Sequence, residues 1–177
     1  MKKMNSKGFT LIELLAVIVI MGILMMVAIP AMTRYIENAR KDTFMDTAKQ
    51  YVNSVRNLWA SDSITCGSGN VISTANPDGT YYIPIDSSKP ANANILESGG
   101  KSSWSNAEVY GYVKIVVDTD TRTNKNTTKY YIYLTDANGH GITADGTEAD
   151  KLVRSNVKTS GATKKTTLSG ATACGVN

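Results

Sequence analysis

Gly8-Phe9-Thr10-Leu11-Ile12-Glu13, followed by Leu14 to Ile29 without a single charge, decides how this chain is built. Only Lys2, Lys3 and Lys7 precede it as charged residues. A secretory signal needs a shorter apolar run. Phe9 to Ile29 is long enough to cross a bilayer as a helix, at ~1.5 Å per residue against a hydrocarbon core of ~30 Å. Glu13 is the one ionisable residue inside that run, and an acid in a membrane segment is a functional candidate by default.

The energetics permit insertion in spite of Glu13. The strongly apolar residues contribute roughly −0.3 to −0.6 kcal/mol each, and more than ten of them outweigh the ~3 kcal/mol cost of one central acid. Glu13 lies near one end, where its cost is smaller. The leader lysines, with no leader acid, hold that end inside, so the rest of the chain is expected to be exported.

A short basic leader, a glycine, a phenylalanine and a glutamate four residues later make this N-terminus similar to the class III leader of type IV prepilins and related pilin-like proteins. The resemblance covers Met1 to Pro30; beyond it only the plan of a long helix followed by a β-rich head matches. It implies cleavage between Gly8 and Phe9, N-methylation of Phe9, and retention of the apolar segment in a filament core, with Phe9 and Glu13 as the assembly residues. Partners implied are other copies of the same chain in a helical filament, the cytoplasmic or inner membrane before assembly, a prepilin peptidase and the pilus assembly machinery. Two other readings compete. A conventional signal would be removed after an Ala-x-Ala-like site, of which Ala28-Ile29-Pro30-Ala31 is a poor version, and a plain single-pass anchor would merely tolerate Glu13.

With 177 residues, 42% of them hydrophobic, and much of that fraction in Phe9 to Ile29, the remainder suffices for one modest core. The formal charge of +4, less the three leader lysines, is +1. General nucleic-acid binding is therefore not indicated, and nucleic acid enters only as an uptake substrate of the implied family.

Helical periodicity continues past the span. Pro30 lacks company from other turn residues and is read as a bend, with Gly22 as a second kink position. At 100° intervals Met32, Tyr35, Ile36 and Ala39 share one stripe, and Phe44, Ala48, Tyr51, Val52, Val55 and Trp59 share another. The first is expected to meet neighbouring subunits and the second to be covered by the chain's own sheet. The helix should stop near Asp62, where Ser61 to Gly69 is small, polar and glycine-containing.

The expected organisation is a leader at 1–8, a membrane and filament-core helix at 9–30, its amphipathic continuation at 31–62, a connecting region at 63–106, and an antiparallel sheet with the C-terminal region at 107–177. This is an α+β fold. Within the connecting region, Asn76-Pro77-Asp78-Gly79 signals a turn before a strand at Thr80 to Ile85. Glu108 to Asp118 and Lys129 to Thr135 read as strands joined by a polar loop from Asp118 to Thr128. Leu152 to Lys158 and Lys165 to Thr172 are further strand candidates.

Cys66 and Cys174 are the only cysteines, and in an exported domain they are expected to pair. The resemblance supports this in part, since many pilins place both cysteines late in the chain. No catalytic residue is proposed: His140 is the sole histidine, and no spacing supplies a nucleophile with its base. Oxygen-bearing Asp136 and Asn138, with Asp145, Glu148 and Asp150 downstream, give a weak calcium pattern that lacks the distal glutamate of an EF-hand loop. A tight Asn138-Gly139 turn is the better reading, and no cofactor is expected.

The function implied is a structural subunit, a major pilin of an extracellular type IV pilus serving adhesion, surface motility or DNA uptake. A pseudopilin or minor pilin of a secretion or competence system is the alternative. A membrane-anchored binding module would need a ligand pocket that the sequence does not show.

Overall fold

The computed structural model describes residues 8–66, 70–71, 78–89, 100–120, 122–123, 125–143 and 147–176. The leader lysines, the Asn76-Pro77 turn and Asp145 lie outside them. Two compact units divide at residues 39 and 40.

One helix, α1, runs from Leu11 to Ala60 with Pro30 inside it, so the chain does not end its helix at the proline. Its end is built as a Schellman motif: Ser63 N–H donates to Leu58 O at 3.0 Å and Asp62 N–H to Trp59 O at 3.3 Å. Asp62 occupies the left-handed position with φ of 51°, where aspartate is among the few side chains that tolerate it.

Among the described residues eight strands follow: β1 (Ile64–Cys66), β2 (Asn70–Val71), β3 (Gly79–Asp86), β4 (Val109–Asp120), β5 (Lys125–Asp136), β6 (Gly141–Ile142), β7 (Val157–Lys158) and β8 (Thr172–Val176). Their spatial order is β2-β1-β8-β3-β4-β5-β6-β7. The expected antiparallel sheet needs one correction, because β8 pairs in parallel with β3 while every other ladder is antiparallel. The last strand returns across the sheet and slots between β1 and β3.

Three strand boundaries also differ from expectation. The loop expected from Asp118 to Thr128 is largely sheet, with Asp118 opposite Thr127 and Asp120 opposite Lys125. Polar residues extend the hairpin because cross-strand backbone pairing continues past the apolar register. Leu152 to Lys158 is mostly two 3-10 turns, Ala149–Lys151 and Arg154–Asn156, and only Val157–Lys158 pairs. Lys165 to Thr172 is irregular until Thr172, where β8 begins.

The head's core lies between the sheet and the second half of α1. Phe44, Ala48, Tyr51, Val52 and Val55 are buried against Ile83 and Ile85 of β3, Val113 and Ile115 of β4, and Ile132 and Leu134 of β5. This is the second stripe read from the sequence, with Trp59 partly buried at its end. Two ion pairs fasten the 3-10 segment to the helix: Arg154 on Asp42 at 2.7 and 2.5 Å, and Arg56 on Asp150 at 2.7 Å. The opposite sheet face carries Tyr82, Tyr112 and Tyr133, the latter two stacked at 5.3 Å, with Leu168 and Ala171 packed on them.

Candidate processing and assembly site

Gly8, Phe9 and Thr10 are outside the helix, and Phe9 is 90% exposed. The helix starts at Leu11 because Thr10 caps it. Its carbonyl accepts the first intrahelical bond from Leu14 N–H at 3.3 Å, and its Oγ1 accepts from Glu13 N–H at 3.4 Å. Glu13 reaches back, and its Oε2 accepts from Thr10 N–H at 2.8 Å and from the Thr10 hydroxyl at 2.7 Å. This is a reciprocal capping box, satisfying donors that a helix start otherwise leaves orphaned. The structure thus brings Phe9, Thr10 and Glu13 into one short segment immediately after Gly8.

Beyond it the side chains are exposed on every side of the helix, Leu14, Ile18, Ile20, Leu24 and Ile29 among them. Among the described residues this is the one helix long and apolar enough to cross a membrane, and its most apolar window is unburied. A helix apolar all round is stable only within lipid or a proteinaceous core. Farther along, Met32, Tyr35 and Ile36 of the first stripe are also exposed, Tyr35 at 73%.

In the head, Cys66 and Cys174 sit directly opposite each other on β1 and β8 and are disulfide-bonded, 108 residues apart in sequence. The expected turn after β5 is present: Gly139 has φ of +86°, which glycine adopts at little cost. Asp136 organises it. One carboxylate oxygen accepts from Asn138 N–H at 2.8 Å and His140 N–H at 2.9 Å, while the other accepts from the Ser102 hydroxyl at 2.7 Å and lies 2.7 Å from His140 Nδ1. Burial pushes this carboxyl up, yet the bonds from Ser102, His140 and Asn138 outweigh it and hold it below the ordinary carboxylate value.

The calcium expectation on Asp136 and Asn138 therefore falls on a carboxylate already ringed by donors. Glu148 pairs with Lys151 at 2.6 Å and Lys129 at 3.5 Å, and Asp150 pairs with Arg56. Among the described residues no group of three or more His, Cys, Asp or Glu could hold a metal ion. Ser102 donates to Asp136 rather than to His140, so these three residues do not form a nucleophile with its base.

Thr10, Ser102 and Trp104 are the residues that sequence reasoning did not single out. Thr10 was available from the Thr-x-x-Glu spacing that marks capping boxes. Ser102 and Trp104, which stacks on the His140 ring at 4.4 Å, come from a polar loop and carry no local signal.

Residues 3–29 match the family described as the prokaryotic N-terminal methylation motif, the class III prepilin leader of type IV pilin-like proteins. The match spans Gly8, Phe9, Thr10, Glu13 and the exposed apolar helix. No solved structure matches the chain.

Proposed function

We propose that this chain, which carries the class III prepilin leader, is the major structural subunit of an extracellular type IV pilus, held in the membrane by α1 until it is extracted into the fibre. The observation that carries the reading is the unburied apolar face of α1 with Glu13 set near its start. The leader motif implies processing by a prepilin peptidase and assembly into a pilus-type filament. Cleavage after Gly8 gives Phe9 a new α-amino group, which is the position this reading takes to be methylated.

Glu13 then has a role that an isolated helix cannot give it. In an apolar filament core an ionised carboxylate is costly unless a cation meets it. The Phe9 amine of another copy supplies that cation when subunits stack with an axial offset, and the pair sets their register. The exposed Met32, Tyr35 and Ile36 stripe serves the same assembly, and the bend read at Gly22 and Pro30 lets it conform to its neighbours. Adhesion, surface motility and DNA uptake are activities a fibre of this kind serves.

The test compares membrane and sheared-fibre fractions from cells whose sole copy is wild type, Glu13→Ala or Glu13→Asp. Glu13→Ala should be inserted and cleaved after Gly8 yet incorporate poorly, because removing one partner leaves a buried charge at ~3 to 5 kcal/mol. Glu13→Asp, one methylene short, should be intermediate. Normal fibre yield from Glu13→Ala would overturn the major-subunit reading and favour a minor subunit or pseudopilin carried by others.

A further inference from the structure

We propose that Thr10 determines where the leader is cut, by stopping the helix two residues short of the bond that is hydrolysed. This rests on the leader reading and adds to it a residue whose action is exerted through backbone conformation. The reaction takes up one water across the Gly8–Phe9 peptide bond, leaving Gly8 as a carboxylate and Phe9 as an amine. The peptidase supplies the chemistry; the substrate must supply an accessible bond.

An α-helix ties each N–H to the carbonyl four residues back, so a helical peptide bond has no main-chain groups free to pair with a protease. Enzymes and receptors that read extended segments use those same groups, as in strand addition. Helix propagation, once nucleated, adds residues at little cost, and the 50-residue α1 is amply nucleated. Nothing in the apolar run itself prevents it from winding back over Phe9.

Two features of the structure oppose that. Thr10 N–H, which a longer helix would direct to a carbonyl nearer the N-terminus, donates instead to Glu13 Oε2 at 2.8 Å. The Thr10 hydroxyl donates to the same oxygen at 2.7 Å, fixing Thr10 in the capping role. Gly8, with the largest backbone entropy to lose, is the second brake. Gly8 and Phe9 accordingly stay outside the helix, Phe9 with 90% of its surface open, inside the segment that matches the methylation motif.

The experiment follows Phe9 N-terminus formation over time from full-length precursor in membranes with its prepilin peptidase. Thr10→Val preserves shape and removes the side-chain half of the cap, the hydroxyl that bonds Glu13; Thr10→Ser and Thr10→Asn preserve a capping side chain, Asn with a different shape. Thr10→Val should be processed about five-fold more slowly, the factor equivalent to ~1 kcal/mol of lost capping. Thr10→Ser and Thr10→Asn should stay within about two-fold of wild type. Glu13→Ala, which removes the acceptor of both Thr10 N–H and the Thr10 hydroxyl, should be slowed at least as much as Thr10→Val. Cleavage of Thr10→Val at the wild-type rate overturns the inference, as does equal slowing of Thr10→Val and Thr10→Asn, which would mean that the threonine side chain itself is recognised. Absence of Phe9 N-termini from the wild type would instead overturn the leader reading, and this inference with it.

Discussion

Asp136 holds a side chain without solvent exposure between two segments far apart in sequence, the loop carrying Ser102 and Trp104 and the turn ending at His140. Asp136→Ala would strand the buried Ser102 hydroxyl and take the acceptor from the partly buried N–H groups of Asn138 and His140. Each buried donor without a partner costs ~1 to 3 kcal/mol. A loss of about 3 kcal/mol in the unfolding free energy of the head, expressed from Tyr35 onward, is expected by urea titration. The pH dependence has a definite sign: a carboxyl held below its ordinary value contributes stability above about pH 4, and that contribution fades as pH falls through the folded-state value. Asp42, Glu108 and Glu148 are lowered too, chiefly by hydrogen bonds from Arg154, Lys101 and Lys151, so wild type alone does not isolate the effect. Thermal midpoints of wild type and Asp136→Asn should converge as pH drops below about 4. Parallel curves would mean that Asp136 does not carry the charge assigned to it.

At the scale of elements, α1 is divided by what its faces touch. Phe44 is fully buried and its ring centroid lies 5.6 Å from that of Trp104. Phe44→Ala should cost about 3 to 5 kcal/mol of head stability, whereas Ile36→Ala, on the exposed stripe, should change it by less than about 0.5 kcal/mol. Differential scanning calorimetry of both variants checks the pair, and equal losses would refute the division of faces. The second stripe was legible because 3.6-residue periodicity reports which side meets a core, and Phe44 to Val55 obeyed it. Thr47, buried beside them, was not, since a hydroxyl breaks the apolar pattern while its Oγ1 bonds Thr43 O at 3.1 Å. The β4 and β5 strands announced themselves through Val, Ile and Tyr, but the hairpin's polar tip did not. Arg154 is held by Asp42 across 112 residues of sequence, a partnership no local window contains. The parallel β3 and β8 pairing was equally hidden, because five residues at the chain's far end find their place through the strap before them and through Cys174.

For the whole molecule the disulfide governs. Closing a loop whose ends are 108 positions apart in sequence, it should contribute ~4 to 5 kcal/mol on the chain-entropy account. Cys66→Ser and Cys174→Ser should therefore lower the thermal midpoint of the head by similar amounts, and the double variant should be no worse than either, since each removes the same bond. Additive losses would show that the sulfur atoms matter separately. The bond also sets how tension would run through the chain. Cys66 lies six residues beyond the end of α1, so a pull applied to the helix and to Gly175 passes from Cys66 straight into Cys174. The intervening chain, β3 to β7 included, is off the load path. In a single-molecule extension between those points, the oxidised chain should keep its 108-residue loop folded away. Reduction should release roughly 370 Å of added contour length, at ~3.4 Å per residue, from a chain otherwise inextensible over that span.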